Sequence, residues 1–364
     1  MNLTNPNPGA PLIVSCGLGV DSVAVLVAFK AAGIRPDLLL FADTGGEKPS
    51  TYAYRDNVLN PWLATWGCPA VQTVKYQPLE STPYTTLQGN CTVNETLPSV
   101  AFGLHSCSVK WKIAPQDNFI HGVSKGPNKR AGWQPALDAW ARGAVPVKVI
   151  GYDSSPADRK RAGKVHGKVY DTSRPYTFWY PLQDLGWERR DCIAAILAEG
   201  LPVPEKSACY FCPSSKVWEL WWLAGAHPEL FVDACRMEYG ALTGRHSRWD
   251  SINWGAWDSH LGTGKEFPSK SHCGLGRSFS WCKWGYDNGV IDLDRWEVIA
   301  PPARCLAEAT RLRGYDNAAD VRGCATLELA DEPVEARPLV WEQPKPQAAD
   351  PWAITWQQPV QLEI

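Results

Sequence analysis

The stretch from Leu12 to Ser22, reading Leu-Ile-Val-Ser-Cys-Gly-Leu-Gly-Val-Asp-Ser and followed by an apolar run to Phe29, limits the fold more than any other part of the chain. Aliphatic and β-branched residues at 12–14 predict a buried strand. Gly17 and Gly19 free the backbone for a tight turn, and Val23 to Lys30 predict a helix. Strand, glycine loop and helix together offer backbone N–H groups and a helix N-terminus to a phosphate. Ser15 and Ser22 add hydroxyls at the two ends of the loop. No Gly-Lys-Ser/Thr follows, so this is not a Walker A loop, and Ser22 stands where a dinucleotide fingerprint has its third glycine. By itself the loop reads equally well as a plain strand-to-helix turn.

The next apolar segment, Asp37 to Ala42, leads into Asp43-Thr44-Gly45-Gly46-Glu47-Lys48-Pro49. With Ser15, Gly17, Gly19, Asp21 and Ser22 before it, this resembles the pyrophosphate-loop (PP-loop) ATP pyrophosphatases, and within them the phosphoadenylyl-sulfate (PAPS) reductase-like family. The resemblance covers about residues 10–215. It implies an α/β fold with a parallel sheet and flanking helices, followed here by a smaller Cys/Trp-rich C-terminal region. It also implies that Ser15, Gly17, Gly19, Asp21, Ser22, Asp43, Thr44 and Gly45 hold an adenine nucleotide, ATP or PAPS. The family pattern has glycine where this chain has Leu18, and the bulkier side chain is expected to narrow the loop.

The pattern along the chain agrees with alternating strands and helices, which predicts a parallel sheet. Thr51 to Trp66 reads as helical, with Pro61 as a break or a start, and Val71 to Tyr76 as a third strand. Residues 82–102 are polar and read as a loop over the nucleotide. Val145 to Ile150 is another strand, ending at Gly151. The loops at 15–22, 43–49 and 151–161 all follow strands, the end of a parallel sheet at which ligands bind. Residues 184–200 read as an amphipathic helix ended by Gly200, and 216–226 as a Trp-rich helix. We expect a nucleotide-binding domain over 1–200, the Cys/Trp-rich region over 201–330, and a flexible or partner-docking tail over 331–364.

Charged residues make up 20% of the chain and the formal net charge is −2, so no global basic field announces nucleic acid. No apolar run approaches the ~20 residues that span a bilayer, and the N-terminal residues lack the pattern of a signal peptide. The expectation is a cytoplasmic protein without a membrane partner. Twelve cysteines then read as buried thiols, metal ligands or redox groups rather than disulfides. The 19 tryptophans read first as core packing, with base stacking as the special alternative.

Asp21 and Asp43, at the ends of adjacent strands, are candidates to hold Mg²⁺ through water against a polyphosphate. The plainer alternatives are a helix N-terminal acid and a turn former. After Gly151, Arg159 and Arg161 suit phosphate or sulfate oxygens, or belong to a solvated basic run. From Cys107 to Pro115 the chain resembles the family's cysteine pair, basic dipeptide and proline, with Ser108 in place of the second cysteine and Lys112 as the candidate catalytic cation. Cys209 and Cys212 match the family's Cys-x-x-Cys. Thiolates in this set suit a [4Fe–4S] cluster, or zinc as the alternative, with the fourth position open to Cys192, Cys273 or a non-protein group. Cys273 loosely echoes the redox cysteine of sulfonucleotide reductases, but reads first as a loop cysteine.

Two chemistries follow from the resemblance. In one, the chain binds ATP–Mg²⁺, adenylates a substrate with release of pyrophosphate, and a sulfur donor completes the transfer onto a nucleotide or nucleic acid. In the other, it reduces PAPS or its dephosphorylated form through Cys273, with thioredoxin as partner. A third possibility is a non-catalytic nucleotide-binding protein.

Overall fold

The structure, a computed structural model, describes residues 3–102, 104, 106–165, 174–243, 274–277 and 279–321. Cys273 and the 331–364 tail lie outside the described residues. The described residues up to Asp316 belong to one compact unit.

Strands β1 (Leu12–Ser15), β2 (Leu38–Asp43), β3 (Val71–Lys75), β4 (Val147–Ile150) and β5 (Thr177–Trp179) form a five-stranded sheet in the order β3-β2-β1-β4-β5. Every neighbouring pair is parallel. Residues alternate between faces. Leu12, Val14, Leu39 and Phe41 join the core cluster under α1 (Val20–Ala31) and α10 (Arg189–Ala198). Ile13, Leu38, Leu40 and Ala42 face the other way, against Ile120 of α6 (Ala114–His121) and Ala136 of α7 (Gln134–Ala141). Burial on both faces is why β2 reads as an unbroken apolar run rather than an alternating one.

A third cluster gathers the Cys/Trp-rich part. Trp111 and Phe211 meet Leu220 and Trp221 of α11 (Val217–Ala226), Phe231 and Cys235 of α12 (Pro228–Thr243), and Trp281 and Cys282 of the helix Trp281–Asp287. Glu238 on α12 is wholly buried there. Four donors converge on its carboxylate: the amides of Leu275 (2.6 Å), Trp281 (3.0 Å) and Cys282 (2.8 Å), and the Ser280 hydroxyl (2.7 Å). Gly274 lies so close that a Cβ there would stand 2.2 Å from Glu238 Oε1. Burial pushes the Glu238 carboxyl up, and these donors pull it back.

Three expectations change. Residues 82–102 are not all loop: Thr86 caps α4 (Leu87–Val93) by accepting from the Gly89 amide, and Leu87 and Cys91, one turn apart, bury in the third cluster. A 3₁₀ turn follows at Ser99–Phe102. The segment 184–200 is split, because Gly186 adopts φ +69° between α9 (Pro181–Asp184) and α10. Around Pro61 the helix neither breaks nor starts. A π turn, Arg55–Leu59, joins α2 (Pro49–Tyr54) to α3 (Asn60–Ala64), and the Asn60 amide reaches back to Arg55 O. Proline cannot donate, and its ring crowds the carbonyl four residues earlier, so the wider turn accommodates it. The same solution recurs before Pro115, where the π turn Val109–Ile113 links α5 (Ser106–Ser108) to α6.

Candidate functional site

The strand order reverses at β1: β2 and β3 lie on one side, β4 and β5 on the other. Ligands of open parallel sheets bind outside the carboxyl ends at this switch point. The β1–α1 loop lies there. Gly19 is the N-cap of α1, and its helix start has no side-chain cap, which leaves the first amides for an anion. Ser22 donates to Gly19 O (2.9 Å), and Ser15 donates to Gln116 Oε1 (2.7 Å). Leu18 takes φ +62°, a conformation that favours glycine. Its side chain is 1% exposed and belongs to the core beneath the loop. The bulk expected to narrow the loop therefore goes inward, and its burial offsets a backbone cost of ~1–2 kcal/mol.

Gly151, after β4, presses against this loop. A Cβ on it would stand 2.9 Å from the Ser22 amide nitrogen and 3.0 Å from the Asp21 carbonyl carbon. Backbone cannot yield as a side chain can. Gly151→Ala should therefore displace the loop, weakening nucleotide binding by at least about tenfold while costing ~1–3 kcal/mol of stability. Calorimetric titration and thermal melts check both; unchanged affinity would count against this loop as the phosphate site.

Asp21, Asp153 and Asp158 place one carboxylate oxygen each within 4.8 Å of one another. Asp153 and Asp158 are buried. Arg189 stands 3.0 Å from Asp21 Oδ1 but out of line, so that buried oxygen receives no hydrogen bond. Burial pushes the Asp21 carboxyl up to about 6; Arg189 opposes this, and Asp153 and Asp158 add to it. Three crowded carboxylates with an undonated oxygen fit a hard divalent cation with oxygen ligands. Arg161 and Arg159, expected on phosphate, are engaged locally: Arg161 donates to Asp158 Oδ1 (2.8 Å), and Arg159 Nε to Ser154 O (2.9 Å).

Asp43 is not in that carboxylate group. Its Oδ1 accepts from the Gly45 amide (2.8 Å) and the Tyr52 hydroxyl (2.7 Å), and its Oδ2 lies 3.1 Å from Lys75 Nζ. The β2 loop leans instead on the Cys-x-x-Cys segment. The Tyr210 amide donates to Gly46 O (2.8 Å), and Thr44 Oγ1 lies 3.0 Å from Cys209 Sγ. A Cβ on Gly46 would strike the Phe211 ring at 2.5 Å, and one on Gly45, at φ +74°, would strike Thr86 Cγ2 at 2.3 Å. Both glycines are needed for close packing.

Lys112 points to this junction, 3.5 Å from Oε1 of Glu47, whose side chain is wholly buried. That oxygen accepts no hydrogen bond. Burial raises the Glu47 carboxyl, and Lys112 opposes it. Burial alone would depress the Lys112 ammonium, but Glu47, Cys209 and Cys212 outweigh it and hold it above its ordinary value. Burial pushes the Cys209 thiol well up. Cys107, Cys209 and Cys212 all border the third apolar cluster. So does Cys91, a thiol that sequence reasoning passed over within the supposed loop; its Leu87–Cys91 spacing was the available signal. Cys192 lies in the core under α1 instead. Glu47, Asp153 and Asp158 were likewise not singled out as site residues, and only the folded arrangement groups them.

No protein-family model matches this chain, and no curated protein matches it. Among solved structures, the chain is similar to the U34-tRNA thiolase NcsA from Methanococcus maripaludis with its [4Fe-4S] cluster. Sequence identity is 13%, the match covers 79% of this chain and 83% of that one, and the TM-score is 0.33. A likeness this slight carries no inference about substrate or cofactor. No helix among the described residues is long and apolar enough to cross a membrane.

Proposed function

We propose that this chain is a PP-loop enzyme of the PAPS reductase-like kind that binds ATP–Mg²⁺, adenylates its substrate and thereby prepares it for sulfur transfer, on a nucleotide or nucleic acid. The observation that carries the reading is the meeting of the uncapped α1 N-terminus with Asp21, Asp153 and Asp158 at the switch point of the sheet. A polyphosphate needs both features: amides for its oxygens and a cation for its charge.

In this reading Ser15, Gly17, Gly19 and Ser22 cradle the phosphates. Asp21, Asp153 and Asp158 would hold Mg²⁺, which when bound supplies positive charge against a polyphosphate. A substrate oxygen attacks the α-phosphorus, the bond to the β-phosphate oxygen breaks, and a sulfur nucleophile later displaces AMP. Asp43, Thr44 and Gly45 shape the wall between this pocket and the thiols. Cys107, Cys209 and Cys212 would hold a [4Fe–4S] cluster, which when bound supplies an iron able to carry an extra sulfur. The Cys212 amide donates to Cys209 O (2.9 Å) in a tight turn that sets both thiols beside Lys112, and zinc is the alternative occupant. Lys112 provides positive charge beside Glu47 and the thiols of Cys209 and Cys212.

The test is calorimetric titration of anaerobically prepared protein with ATP–Mg²⁺ and, separately, PAPS. ATP is expected to bind more tightly. Tight PAPS and weak ATP binding would overturn the reading in favour of a sulfonucleotide reductase. Iron–sulfide reconstitution should give absorbance near about 410 nm that is lost in Cys107→Ala, Cys209→Ala and Cys212→Ala; a colourless reconstituted protein would remove the cluster from the scheme.

A further inference from the structure

Beside this site, three aromatic rings surround one ammonium. Lys110 Nζ lies 4.9 Å from the ring centroid of Tyr76, 5.0 Å from Tyr84 and 5.1 Å from Trp111. It also lies 3.3 Å from the Tyr84 hydroxyl. Trp111 is the buried floor, with Tyr76 4.5 Å and Tyr84 6.3 Å away between centroids. Tyr76, Tyr84 and Lys110 are half-buried.

The position of this box is set by the site. Tyr76 directly follows Lys75, the end of β3, which pairs with Asp43. Tyr84 precedes the Thr86–Leu87 step that lies on the β2 loop, where the Leu87 amide donates to Thr44 O (2.9 Å). Trp111 sits between Lys110 and Lys112 in the π turn, shortly after Cys107. The charges differ in kind. Lys75 and Lys112 each face a buried carboxylate, Asp43 and Glu47. Lys110 has no acidic partner among the described residues, only ring faces and the Tyr84 hydroxyl.

We propose that this box receives an unstacked nucleobase of a single-stranded nucleic-acid substrate, which displaces the Lys110 ammonium from the rings. The base would stack on a tyrosine, and the freed lysine, on its flexible stem, would meet the flanking phosphate. Stacking on aromatic faces combined with a mobile cation is how single strands are held without sequence readout. A cationic ligand fits less well, because Lys110 would remain beside it as a like charge. The inference rests on the proposed nucleic-acid reading and supplies its substrate class: bases presented out of a helix, not duplex.

The test uses the full chain, prepared anaerobically, and a fluorescein-labelled mixed-sequence RNA of about 12 nucleotides, with its DNA counterpart and the corresponding duplexes. Anisotropy should show single strands binding at least about tenfold more tightly than duplex. Tyr76→Leu and Tyr84→Leu, which keep apolar bulk, should each weaken binding by about tenfold or more. Tyr84→Phe should stay near wild type, and Lys110→Ala should lower the salt slope by about 1. ATP–Mg²⁺ affinity and melting temperature should hold in all of them. Unchanged binding in both leucine variants, or no binding of single strands by wild type, overturns the box. Loss of ATP–Mg²⁺ binding in wild type, with the tyrosine effects intact, overturns the adenylation reading and leaves the box standing.

Discussion

Asp21→Asn should lower Mg²⁺-dependent pyrophosphate release by about a hundredfold or more and, without metal, make the protein more stable. The two effects share one origin. Burial raises the Asp21 carboxyl to about 6, and Asp153 and Asp158 push the same way. An acid held above its unfolded value near ~4 binds its proton better in the folded state. Stability therefore falls as pH rises through the window between that value and about 6, and stays lower above it. At about 1.4 kcal/mol per pH unit, the cost at neutral pH is of the order of 2–3 kcal/mol. Asparagine carries no such cost, so metal-free melts should favour the variant at pH 7 and converge below pH ~4. Added Mg²⁺ should raise the wild-type melting temperature and leave Asp21→Asn nearly unmoved. A variant that is less stable than wild type without metal, or that responds equally to Mg²⁺, would remove the cation from this cluster.

The second large effect concerns stability alone. Glu238→Ala should cost about 3–5 kcal/mol, because it strands three backbone amides and the Ser280 hydroxyl in an apolar interior. The helix Trp281–Asp287 would lose its N-terminal anchor, since the Trp281 and Cys282 amides end on this carboxylate. Glu238→Gln should recover part of the loss, keeping one acceptor oxygen but turning an NH₂ toward donors. Urea melts decide it: a change below about 1 kcal/mol for alanine would mean that water replaces the carboxylate.

What could be read from the sequence was local. Leu12 to Ser15 and Leu38 to Asp43 announce themselves because burial on both sheet faces leaves unbroken aliphatic runs. Close approach explains the glycines at 45, 46 and 151, where a Cβ would strike a neighbour, whereas Gly17 has open space and Gly19 only ordinary contact, so the loop was legible from its pattern and not from crowding. The grouping of Asp21 with Asp153 and Asp158 was not, since it depends on β4 lying beside β1 rather than beyond β3. Local spacing made Asp21 and Asp43 look like partners, but Tyr52, Gly45 and Lys75 engage Asp43. Arg161 misled in the same manner, as a group that binds anions and finds its anion in Asp158, three residues away. The helix α4 hid in a polar stretch because only Leu87 and Cys91 commit it to the interior.

The two π turns have an evolutionary corollary. A π turn is an α-helix carrying one surplus residue, and adding or removing a single residue in a helix swings everything beyond it by about 100°. Lys110, Trp111 and Lys112 all lie within such a turn. A one-codon deletion there would turn the segment that presents Cys107 relative to α6, changing which groups address the crevice while leaving all five strands in register. Length as well as residue type at this turn therefore decides which side chains address the crevice.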